Sequence, residues 1–79
     1  MTWGKARKKP IIIEFREVEP KVSWGNIEWV ETLEGRMRGE LGKDFIIKGV
    51  EGELYPIDKG IFEKTYEVIQ SPNQKVTEK

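Results

Sequence analysis

The sequence predicts a mainly β domain (β-rich α+β), a small twisted antiparallel sheet or a partly open barrel of five to six short strands with one short helical turn. Three observations predict it. Short runs of β-branched and aromatic residues recur along the chain. Glycine-bearing turns separate them, and the only helix-like segment holds a glycine that limits its length. The chain has 79 residues, enough for a single core. At this size about 60–65% of the unfolded surface is buried on folding, so the stability margin is thin. The expected organisation is a basic flexible arm over 1–9, one compact domain over 10–70 and a disordered polar tail over 71–79.

The first expected strand is Ile11 to Arg16, entered through Pro10, with Ile11, Ile13 and Phe15 on one face. Ser23-Trp24-Gly25-Asn26 is turn chemistry, and Ile27 to Leu33 again reads as a strand. There Ile27, Trp29 and Leu33 share a face, which places Trp29 in the core, while Glu31 interrupts that face and implies a bulge or a sheet edge. The Glu34-Gly35 turn sends Arg36-Met37-Arg38 back antiparallel, with Met37 inward and both arginines outward. After a turn over Gly39 to Lys43, Asp44 to Lys48 is expected to be buried on both faces near its middle. Glu53 to Ile57 returns, and Pro56, which has no N–H to donate, confines that strand to an edge or Pro56 to a strand end. Asp58 is suited to cap a helical turn over Lys59 to Lys64, with Phe62 and Tyr66 stacked on one side. Thr65 to Ile69 reads as a closing strand.

Composition excludes several kinds of chemistry. Histidine and cysteine are absent, which removes the usual proton shuttle near neutral pH, the commonest metal ligand and the thiol nucleophile. No cofactor is implied, since no glycine pattern opens a helix as phosphate-binding loops do. The pairs Glu51/Glu53 and Glu31/Glu34 flank turns, where carboxylates ordinarily face solvent, so the sequence predicts a protein that is not an enzyme. No apolar run approaches the ~20 residues of a membrane span or the roughly 7–15 of a secretory signal core, so a soluble, cytoplasmic domain is expected. Charged residues at 35% and the lack of cysteine also suit a heat-adapted protein.

Charge balances at 14 basic and 14 acidic side chains, but unevenly. Lys5, Arg7, Lys8 and Lys9 are all positive, leaving 10 basic and 14 acidic groups, a net −4, in the other 70 residues. A body of that sign repels phosphate, so nucleic-acid binding would fall to the arm, with Trp3 stacking on a base. The competing reading is a solubilising arm that protects the edge of the first strand. Trp24, beside Gly25 and Asn26, fits a protein–protein contact or a plug for the open end of a barrel. Arg36 and Arg38 form a candidate carboxylate clamp, or pair with neighbouring glutamates. Tyr55 joins Trp24, Arg36 and Arg38 as a candidate contact, although a tyrosine before proline is more often packing.

Three segments, KARKKPIIIEF, ETLEGRMRGE and DFIIKGVEGELYPIDKGIFEKTYE, are similar in this order to small phage and prophage proteins of the PGDYG-type family. The resemblance covers roughly residues 5 to 69. It departs where the family pattern places Pro-Gly-Asp-aromatic and this chain has Gly42-Lys43-Asp44-Phe45, and the link from Glu17 to Asn26 is short. It implies a viral or mobile-element origin and a compact β-rich fold, and it brings no catalytic residue.

The expected function is thus a non-enzymatic interaction module, a virus-encoded protein that binds and modulates a host protein in the host cytoplasm. The alternative is a nucleic-acid-associated small barrel using Trp3, Lys5, Arg7, Lys8 and Lys9. An exposed edge strand would also allow a homodimer.

Overall fold

The computed structural model describes residues 2–22 and 25–72. Five strands and one helix follow in order: β1 (Glu14–Glu17), β2 (Ile27–Thr32), β3 (Gly35–Glu40), β4 (Asp44–Lys48), β5 (Leu54–Asp58) and α1 (Lys59–Thr65). They form two antiparallel sheets, one of order β1-β4-β5 and one made of the β2–β3 hairpin, and these do not close into a barrel. No described helix is long and apolar enough to cross a membrane.

Side-chain alternation gives the three-stranded sheet two working faces. Phe15, Phe45, Ile47 and Tyr55 point to one side, where α1 lays Phe62 between Phe15 and Phe45 with ring centroids 4.7 and 4.9 Å away. Ile46, Leu54 and Pro56 point to the other side, where Val18 and Val30 complete a second cluster. β4 therefore faces packing on both sides, and Ile46 and Ile47 are fully buried, as its continuous apolar run predicts. Asp58 caps α1 by accepting from the N–H groups of Gly60 and Ile61, and Tyr66 stacks on Phe62 at 5.1 Å.

The ladder explains Pro56. Gly49 N–H donates to the Glu53 carbonyl and Lys59 N–H to the Lys43 carbonyl, so the hydrogen-bonded pairs alternate through Tyr55 and Ile57. Pro56 falls at a non-bonded position on the outer strand, and its missing N–H costs no ladder bond.

Several expectations are corrected. β1 begins at Glu14, because its partner β4 ends at Lys48 and the chain then turns at Gly49; Ile11 and Ile12 have no strand to pair with and are exposed. Thr65 to Ile69 is not a strand: α1 runs to Thr65, and beyond the Tyr66 cap Val68 and Ile69 are exposed. β2 has a regular register without a bulge, and it buries Glu28 and Val30 while Trp29 is 58% exposed.

Gly39 sets the spacing of the two sheets. A Cβ there would lie 2.9 Å from Ile46 Cδ1 and 3.2 Å from Val18 Cγ2. Gly39→Ala is therefore expected to destabilise the domain by about 1–3 kcal/mol through overpacking. A chemical denaturation midpoint at or above the parent's would mean that the layers can part at no cost.

Candidate interaction surface

The outward face of the hairpin gathers an exposed tryptophan and two exposed arginines. Register puts Ile27, Trp29 and Glu31 on one side of β2, opposite Glu40, Arg38 and Arg36 of β3. Asn26 carbonyl accepts from Leu41 N–H, so by alternation Trp29 and Arg38 form a non-hydrogen-bonded pair, the kind in which side chains stand closest. Arg36 Cζ lies 5.9 Å from the Trp29 ring centroid while its Nε reaches Glu31 at 3.4 Å. Both members of that ion pair are solvated, so it orients the arginine more than it stabilises the fold. The result is a large aromatic ring with the Arg36 guanidinium near it and Arg38 opposite it in register, a combination that suits an acidic or aromatic protein surface.

Arg36 and Arg38 are thus outward, as the turn predicts. Trp24 lies outside the described residues. Tyr55 is half-buried in β5 and does not join the hairpin face. Its hydroxyl is pushed up to about 12 by burial, by the Tyr66 hydroxyl and by the negative charge of Glu53. By register Tyr55 lies on the helix-covered face, beside Ile47.

A second feature is a cleft of about 340 Å³ between the hairpin tip and β5, lined by Thr32, Leu33, Glu34, Met37 and residues 53–56. Leu33 is 80% exposed at its mouth and Met37 is also exposed. The arm is the third. Trp3 is 87% exposed, and Lys5, Arg7, Lys8 and Lys9 are all at the surface. Lys8 Nζ sits 4.1 Å from the Tyr66 ring centroid, so one arm cation rests on the body. The described residues include no group of three His, Cys, Asp or Glu side chains placed to hold a metal ion.

Beneath the surface, Arg16 and Glu28 join the two sheets. The guanidinium donates to both Glu28 carboxylate oxygens, at 2.9 and 2.7 Å, and Glu19 N–H donates to Oε1 at 2.9 Å. These bonds, with the Arg16 hydrogen bond the largest influence, hold the Glu28 carboxyl below its ordinary range against the opposing effect of burial.

No protein-family profile, curated protein or solved structure matches this chain. The residue that sequence reasoning missed is Trp29. The observed turn, Leu33-Glu34, lies one residue before the expected one and pairs Met37 with Val30. Val30 is buried, so its neighbour Trp29 faces out.

Proposed function

We propose that this chain is a non-enzymatic interaction module that binds a partner protein through the outward face of the β2–β3 hairpin. In a viral or mobile-element setting, which the family resemblance supports, the partner is a host protein. The observation that carries the reading is the exposed Trp29 ring beside Arg36 and Arg38. Tryptophan and arginine are the residue types most enriched in binding hot spots, and a rigid sheet presents them at little entropic cost.

The test is affinity capture from host lysate with the purified chain, its Trp29→Ala variant and an Arg36→Ala/Arg38→Ala variant. One stoichiometric partner is expected, with affinity reduced at least ~30-fold by Trp29→Ala, the scale of a hot-spot truncation. Trp29 is largely exposed, so the variant should keep the parent's melting temperature. Undiminished capture by both variants would remove the hairpin face from consideration. The exposed Trp3 and four arm cations support a second reading, in which the arm grips a nucleic-acid strand. Recovery of nucleic acid that salt releases, and that deletion of residues 2–9 abolishes, would favour it over the hairpin.

A further inference from the structure

The cleft beside β5 is distinct from the hairpin face and has its own complement within the sequence. We propose that it binds the N-terminal arm of a second copy of this chain, with Lys9 to Ile12 seated along β5. The walls are apolar, formed by Leu33, Met37, Leu54 and Pro56, and the Glu34 carboxylate stands at the hairpin tip, while that of Glu53, just before β5, turns over Gly49 and accepts from Glu51 N–H. Among the described residues Glu34 forms no ion pair. The volume lies at the low end for a ligand site and suits one or two aliphatic side chains better than a large ligand.

The arm has the matching pattern. Lys8 and Lys9 precede Pro10, and Ile11 and Ile12 follow it, 50% and 74% exposed. Isoleucines left in water next to lysines fit a cleft of apolar walls with a carboxylate, Glu34, at its rim. The wider charge distribution agrees, a net positive arm against a body of net −4. Pro10 favours the extended backbone that a strand edge accepts. On β5, the ladder alternation turns the Leu54 N–H and carbonyl and the Pro56 carbonyl toward the open edge, so an extended segment finds one donor and two acceptors. Docking opens one local bond, from Ile11 N–H to the Lys9 carbonyl.

The occupant comes from another copy because of where the chain's own arm is held. Lys8 lies over Tyr66, which stacks on Phe62 against the helix-covered face of the sheet. The cleft instead opens between β5 and the hairpin. Two chains exchanging arms close a two-fold dimer with two identical contacts, which a single copy cannot make.

Sedimentation velocity over a concentration series, on the full chain, tests this directly. The parent is expected to dimerise reversibly, with the dimer weakened at least ~10-fold by either Leu33→Asp in the cleft or Ile12→Asp in the arm. Both positions are exposed, so neither change should unfold the domain. Mixing the two variants should restore one arm–cleft contact and hence heterodimer, whereas Trp29→Ala should leave dimerisation intact. A synthetic peptide KARKKPIII should bind the full chain, and KARKKPSSS should bind at least ~10-fold more weakly. Equal binding of both peptides, a strictly monomeric parent, or a dimer lost with Trp29→Ala and kept with Leu33→Asp would each overturn the arm-exchange assignment. The last outcome would leave the hairpin face in place as a self-association surface.

Discussion

Phe62→Ala is expected to cost about 3–5 kcal/mol, the usual range for removing a fully buried phenylalanine. Phe62 is 1% exposed and touches three other rings: Phe15 at 4.7 Å, Phe45 at 4.9 Å and Tyr66 at 5.1 Å. It is also the only buried residue of α1, and beyond its first residue, where Lys59 pairs with Glu17, it is the helix's apolar anchor to the sheet. A seven-residue helix is too short to persist on its own propensity, and its order depends on that docking. Set against roughly 4–12 kcal/mol of total stability for a chain of this length, the loss is a large share. The melting temperature should fall by more than about 12 °C, followed by circular dichroism. Phe62→Leu keeps most of the volume and should cost about 1–2 kcal/mol. A loss below about 1 kcal/mol for Phe62→Ala would mean that α1 does not rest on the sheet in solution.

Much of this layered packing is legible in the sequence, because the residues that carry it act locally. The apolar run of β4, the Asp58 cap, the four-residue spacing of Phe62 and Tyr66, the turn at Gly35 and the edge position of Pro56 each depend on a few neighbouring residues. The failures occur where a distant partner decides. Ile11 and Ile12 have ample strand propensity, but β4 has already turned away at Gly49. Val68 and Ile69 likewise have the right side chains and no strand beside them. Strand formation needs an edge to pair with, and propensity alone does not supply one.

The candidate surface was half legible for the same reason. Counting apolar residues along β2 favours the face of Ile27 and Trp29 over that of Glu28 and Val30. Glu28 is buried nonetheless, because Arg16, 12 residues earlier, brings it a bidentate partner. That one long-range pair reverses the strand's inward and outward faces, and it is what puts Trp29 in solvent. The interaction surface on the outside of the hairpin thus depends on an ion pair inside the domain.

Removing one partner of that pair is the second large effect expected. Glu28→Ala leaves the Arg16 guanidinium without its carboxylate and deprives Glu19 N–H of its acceptor. Breaking a buried pair costs about 3–5 kcal/mol, and the Arg16 side chain is 34% exposed, so water recovers part and about 2–3 kcal/mol is expected. Replacing both partners, Arg16→Met with Glu28→Leu, should cost less than Glu28→Ala alone, because no charge is then stranded. The pH dependence follows from the lowered carboxyl. Glu28 titrates below its unfolded value of 4.5, so its contribution is complete above that pH. It is lost as pH falls through the folded value. Urea midpoints measured from pH 7 down to about pH 2 should therefore drop more steeply for the parent than for Glu28→Gln, and the gap between the two should close in acid. The Arg16 guanidinium is shifted the other way, upward, chiefly by its hydrogen bonds to Glu28, so it contributes no slope in this window. Parallel curves for parent and Glu28→Gln, or single-variant losses that sum to the double variant's, would show that the two side chains are not coupled. Trp29 would then face outward for some other reason.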